Sequence, residues 1–143
     1  MISATAIPKE ALFVYRSEIP VRWGDQDTLN HVNNTIYFRF MEQARVEWLD
    51  QLCRQERQIM NQGAVLVTAS CTFLIPILYP ATVICDIFVG QPGRSSLPTY
   101  YELRCQGSDK VYALGGGKLV WVDKLTGRSV PLPSVLSELN RKI

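Results

Sequence analysis

The sequence is poor in the residues from which metal sites and disulfide frameworks are built. It holds one histidine, His31, and four cysteines (Cys53, Cys71, Cys85, Cys105), none in a C-x-x-C pair. A zinc site would need His31, carboxylates and scattered thiols without any ligand spacing, so no metal is expected. Cys71, Cys85 and Cys105 each fall inside an apolar or strand-like run, which favours buried reduced thiols over disulfides. Charge of one sign is also scarce. A formal net charge of +2 argues against a nucleic-acid or anionic-membrane partner. No apolar stretch approaches the roughly 20 residues of a membrane-spanning helix. The first ten residues lack the basic start and apolar run of a signal peptide, so the expected compartment is the cytoplasm. Repeats, linkers and low-complexity tracts are missing too. Residues 1–143 are expected to form one domain, a length that allows one real hydrophobic core.

What is present is an ordinary globular mixture, 47% apolar and 20% charged, with readable periodicities. From Leu12 to Trp23, Phe13, Tyr15, Ile19, Val21 and Trp23 fall on odd positions, the period of a half-buried strand. Pro20 interrupts that run and predicts an edge position or a bulge. Gly24 to Asn34 has loop chemistry. Ile36, Phe40, Ala44, Trp48 and Leu52 then step by four, which predicts a long helix capped by Asn33 or Asn34. Glu47 intrudes on the apolar face. Gln51 to Gln62 reads as helix or loop, closed by Gly63.

Four strand-like runs follow: Ala64 to Leu74, Thr82 to Val89, Thr99 to Cys105 and Val111 to Val122. Proline, glycine and Asx clusters separate them. Ser134 to Ile143 reads as a short helix capped by Ser134. Gly115 to Gly117 lie inside the last strand and predict either close approach of the helix or a bulge. A helix with apolar residues over a wide arc requires one antiparallel sheet to wrap around it, an α+β arrangement.

Two carboxylates, the only histidine and three asparagines fall within Asp25 to Asn34, just before the helix. Each could serve a loop or a cap alone. Together they place a carboxylate and an imidazole beside a helix start, whose free N–H groups and dipole favour a negative oxygen. Acyl transfer needs a nucleophile or base plus such an oxyanion site. No G-x-S-x-G elbow is present for a serine triad.

The run Val21-Arg22-Trp23-Gly24-Asp25-Gln26-Asp27, continuing through Asn30-His31-Val32-Asn33-Asn34 to Tyr37, Glu42 and Arg45, resembles the signature of hydroxybenzoyl-CoA thioesterase-like hotdog proteins. Plant acyl-ACP thioesterases have a similar H-V-N-N segment. The resemblance implies a hotdog fold, a five- to six-stranded antiparallel sheet around a central helix. It implies hydrolysis of an acyl-CoA by a homodimer or homotetramer, without a cofactor. It makes Asp27 the catalytic carboxylate, as nucleophile or general base, and Asp25 an organiser of the loop. Backbone N–H groups near Asn33 and Asn34 would face the oxyanion, and His31 would polarise the carbonyl or position water. Tyr37, Glu42 and Arg45 read as support, with Glu42 and Arg45 paired on the helix. In the Gly93-Arg94-Ser95-Ser96 turn, Arg94 resembles the basic position that meets CoA phosphates. Ser70 and Ser96 lie near segments that line the acyl pocket in relatives. Asn33, Tyr37, Arg94, Ser95 and Ser96 are thus the substrate-binding candidates, beside Asp27, His31 and Asn34 as catalytic ones. Leu29 stands where the plant enzymes have asparagine, and Asn30 where many bacterial relatives have glycine. The alternatives are an acyl-CoA hydratase or dehydratase, whose D-x-N-x-x-H pattern Leu29 breaks, and a non-catalytic acyl-CoA-binding module.

Overall fold

The computed structural model describes residues 6–54 and 60–139. Strand β1 (Leu12–Pro20) leads through a 3-10 turn (Trp23–Asp25) to helix α1 (Asn34–Cys53). Strands β2 (Gln62–Phe73), β3 (Thr82–Val89), β4 (Ser96–Cys105) and β5 (Ala113–Asp123) follow, then a single helical turn, α2 (Ser134–Ser137). The five strands form one antiparallel sheet in the order β1-β3-β4-β5-β2. Helix α1 touches both edge strands, β1 and β2, as well as β3. The sheet therefore curves around the helix, as a hotdog fold requires. No helix among the described residues is long and apolar enough to cross a membrane.

The core lies between α1 and the concave face. Tyr37, Phe40, Met41, Ala44 and Trp48 supply the helix side. Val83, Cys85, Ile87 and Val89 alternate inward along β3, and Leu97, Thr99, Tyr101, Leu103 and Cys105 along β4. Each fully buried aliphatic side chain here contributes about 1.5–3 kcal/mol.

Several boundaries differ from the sequence expectation. β1 ends at Pro20, and Trp23 belongs to the 3-10 turn and is exposed. β1 is an edge strand, as a proline demands, but its register shift falls between Phe13 and Tyr15. Gly63 lies inside β2 and pairs with Val122. β4 starts at Ser96, three residues early, because Ser96 to Pro98 already pair with β5. Of the two expected caps of α1 it is Asn33 that serves, its Oδ1 accepting the Thr35 N–H at 2.9 Å. α2 is capped by Pro133 and spans one turn. The parts of the helical expectations that fall on residues 55–59 and 140–143 lie outside the described residues.

Glu47, the misfit on the helix, has a partner set. Its carboxylate accepts from Tyr15 Oη (3.1 Å), Ser17 Oγ (2.9 Å) and Gln43 Nε2 (2.7 Å). Tyr15 and Ser17 are on the inner side of β1, so Glu47 ties α1 to that edge strand. Arg45 reaches the phenol of Tyr101 at 3.2 Å, the ion pair with Glu42 not being formed.

The glycine run is a close approach. A Cβ built on Gly115 would run into the Met41 sulfur, and one on Gly117 would come within 2.8 Å of the Thr68 carbonyl. The bulge in this pair lies in β2, between Leu66 and Thr68. β2 is the other edge. Val65, Leu66 and Val67 stand exposed there, an uncovered apolar edge of the kind that invites strand pairing.

Candidate active site

The segment from Gln26 to Val32 is a tight loop closed by an antiparallel bridge between those two residues. The Asp27 N–H donates to the His31 carbonyl (2.9 Å), and the Asn30 N–H to the Asp27 carbonyl (3.0 Å). Asn30 takes φ of 60°, a left-handed conformation that asparagine tolerates better than most residues. This accounts for asparagine at a position where relatives use glycine. One oxygen of Asp27, Oδ1, accepts the Leu29 N–H at 2.9 Å. Its second oxygen has no protein donor among the described residues, and the side chain is half-buried.

Asp25 holds the loop from beneath. It is buried and accepts the Arg22 N–H at 2.8 Å, closing the 3-10 turn, with the Arg22 guanidinium 3.9 Å away. Its carbonyl takes the Asn33 N–H at 2.9 Å. The Val32 N–H donates to Ile77 (2.9 Å), and the Ile77 N–H to the Tyr37 phenol (3.2 Å). Tyr37 is buried and meets Phe73 edge-on, ring centroids 4.8 Å apart. Burial pushes its phenol pKa up. The side chain thus anchors the segment between β2 and β3 against the loop, and it presents no open face to a ligand.

The start of α1 divides its N–H groups unequally. Asn33 occupies those of Thr35 and Ile36, through its side chain and its carbonyl. The Asn33 N–H is itself used by Asp25. The Asn34 N–H has no acceptor among the described residues, and the Asn34 side chain is exposed. It is an orphan donor at the positive end of a 20-residue helix. The His31 imidazole, half-buried, makes no hydrogen bond to protein among the described residues, because the loop is held through its carbonyl.

Arg94, Ser95 and Ser96 are not brought to this loop. Arg94 and Ser95 lie in the turn between β3 and β4 and Ser96 opens β4; the Leu132 N–H reaches the Arg94 carbonyl (2.8 Å) and the Trp121 N–H that of Ser95 (2.7 Å). The loop adjoins the Thr82 end of β3 and the turn its Val89 end. Eight strand residues separate the two by about 23 Å.

Among the described residues three grooves border α1, one of them, of about 380 Å³, along its C-terminal half beside Leu49, Ala64 and Trp121. A second, of about 420 Å³, bordered by Asp25, Arg22, Arg39, Gln43 and Glu47, runs beside β1. A third, of about 140 Å³, lies on the β2 side, among Phe38, Met41, Glu42, Leu66, Ala69 and Tyr101. Neither Asp27 nor His31 lines any of the three. The bonding of Glu47 was missed in the sequence, although its place on an apolar helix face was the signal.

No curated protein sequence matches the chain. Solved structures do. The PA2801 protein of Pseudomonas aeruginosa, a candidate thioesterase, is 38% identical over 85% of this chain and 94% of its own, with a TM-score of 0.79. A thioesterase from Thermus thermophilus, solved with coenzyme A and Zn, is 31% identical over 91% and 93%, TM-score 0.75. A DHNA-CoA thioesterase from Staphylococcus aureus shares the fold at 19% identity, TM-score 0.71, over 82% and 79%. Residues 21–139, from the end of β1 to the end of the described chain, match the family described as thioesterase-like, and the chain belongs to the thioesterase-like superfamily.

Proposed function

We propose that the chain hydrolyses an acyl-CoA thioester to a free acid and CoA. The observation that carries this is the pairing, in one short segment, of a carboxylate with an uncommitted oxygen and an orphan N–H at a helix start. Asp27 either takes a proton from the attacking water or attacks the thioester carbonyl itself. Charge then develops on the carbonyl oxygen, where the Asn34 N–H and the α1 dipole stabilise it. The acyl–sulfur bond breaks, an acyl–oxygen bond forms, and the CoA thiolate leaves and is protonated; where Asp27 was the nucleophile, water then cleaves the acyl–Asp27 anhydride to release the acid and restore the carboxylate. The unbonded His31 imidazole is available to contact substrate or position water. The similarity to a thioesterase solved with coenzyme A supports the choice of CoA. Release of free thiol over a panel of acyl-CoAs tests the reading. Wild-type turnover in Asp27→Ala on the best substrate would sink the assigned mechanism.

The working unit in this reading is a homodimer, alone or paired into a tetramer. β2 is an open edge with exposed apolar residues. A second copy pairing antiparallel along it would run its sheet in the opposite direction. The partner's turn would then lie at the loop end of the first protomer, where Arg94, Ser95 and Ser96 could meet CoA phosphates. Mixed refolding tests this. An Asp27→Ala chain paired with an Arg94→Ala chain contains one site with both residues intact. Activity above that of either parent is expected; no gain would refute the shared site.

A further inference from the structure

We propose that Tyr37 is a positioning residue for the reaction: its buried phenol fixes where the Asp27 carboxylate stands relative to the Asn34 N–H. The inference rests on the thioesterase reading. Tyr37 lies one turn into α1 from Asn34, and its side chain is buried. Its Oη accepts the Ile77 N–H at 3.2 Å, from 40 positions away in the chain. The Ile77 carbonyl in turn accepts the Val32 N–H at 2.9 Å. Val32 is bridged to Gln26, and the next pair inward, His31 and Asp27, is joined by the Asp27 N–H on the His31 carbonyl at 2.9 Å. Hydrogen bonds therefore run without a gap in the backbone from the first turn of α1, through Ile77, to Asp27.

This path closes a ring. Val32 and Tyr37 are already joined covalently through Asn33 to Ile36, and that route passes the point where extended Asn33 gives way to helix. Rotation there would swing the loop against α1. The Asp25 carbonyl on the Asn33 N–H ties the loop to the cap, on the loop's own side of that point. The second route opposes the swing, because Ile77 is fully buried and both its N–H and its carbonyl are committed. Tyr37 supplies the only hydrogen bond, among the described residues, from an α1 side chain to the segment that holds Val32. In Tyr37→Phe the ring remains and the oxygen alone is lost. The Ile77 N–H becomes a buried donor without an acceptor, and relieving it draws the segment, with Val32 and the loop, away from α1. A displacement of about 1 Å at a reacting group costs about 10²-fold in rate.

The test is thiol release by Tyr37→Phe on the best acyl-CoA. The expected result is a fall in kcat of about tenfold or more with KM little changed, since the phenol touches no substrate. Glu47→Gln, about 20 Å along α1 from Asn34, controls for a general loss of stability and should keep the wild-type kcat. The double variant is the decisive reading. If the phenol acts through Asp27, then adding Tyr37→Phe to Asp27→Asn should lower kcat little further. A merely structural role would lower it by the same factor in both backgrounds. Thermal melts confirm that each variant is folded. If Tyr37→Phe is not, an ester linkage between Pro76 and Ile77 deletes the same bond from its donor side and should give the same fall in kcat. An unchanged kcat in a folded protein without this bond, a loss confined to KM, or equal factors in the two Asp27 backgrounds overturns the role of Tyr37 alone. A wild-type protein that releases thiol from no acyl-CoA overturns the thioesterase reading, and the inference with it.

Discussion

Glu47 gives the sharpest stability test, because its three donors differ in what they can do when it is removed. In Glu47→Ala the Ser17 hydroxyl, only 2% exposed, is left without an acceptor. An orphaned buried hydroxyl costs about 1–3 kcal/mol. Tyr15 is half-buried and can turn its phenol toward water, so its loss is about 0.5–1 kcal/mol. The Gln43 contact is an i,i+4 pair on the helix surface, worth about 0.3 kcal/mol. The total expected loss is about 2–4 kcal/mol, a fall in Tm of about 6–16 °C for a chain of this size. Glu47→Gln keeps a carbonyl acceptor and should lose about 1 kcal/mol. Urea unfolding of Glu47→Ala, Ser17→Ala and the double variant supplies the decisive number. Once Glu47 is gone, removing the stranded hydroxyl should cost almost nothing, giving a coupling of about 1–2 kcal/mol. A loss below about 0.5 kcal/mol in Glu47→Ala, or additivity in the double variant, would refute the claim that this carboxylate ties α1 to β1.

Other outcomes follow from the site. Asp27→Asn should lower kcat by about 10²- to 10⁴-fold with KM little changed, read by thiol release under saturating substrate. Tyr37→Phe leaves the buried Ile77 N–H unpaired and should cost about 1–2 kcal/mol in denaturant. Asn33→Ala removes the α1 cap and should cost about 1 kcal/mol, or about 3–5 °C in a melt. Burial pushes the Cys71 thiol up to about 11, so only about one molecule in ten thousand carries the thiolate at pH 7. Alkylation of Cys71 followed by mass spectrometry should be slow at neutral pH and accelerate through pH 9 to 10.

The sequence made some elements legible and hid others for identifiable reasons. The bounds of β3 could be read because an apolar, strand-like run, Pro80 before it and Gln91-Pro92-Gly93 after it agree. α1 began where an Asx cap met a four-residue apolar step. Pro20 announced an edge strand, and the strand ends at it, one residue short of the Val21 N–H that still bonds the Ala81 carbonyl opposite. The bulge in β2 left no trace, since Leu66 to Thr68 has no glycine or turn residue to mark it. At the site, the Asx-rich loop predicted local bonding, and the Asp27, Asn30 and Asn33 backbone contacts are of that kind. The Tyr37 contact with Ile77 spans 40 residues and could not be read from spacing. Nor could the separation of Arg94 from Asp27, which depends on strand order and on which end of β3 each segment joins.

The open edge of β2 has a consequence for how activity must be measured. If a site needs a turn from one chain and a loop from another, specific activity is governed by mass action as well as by chemistry. At concentrations well below the dissociation constant of the pair, each chain would be folded and idle. Turnover per chain would then climb on concentrating the enzyme, and a progress curve begun by sharp dilution would decay as pairs come apart.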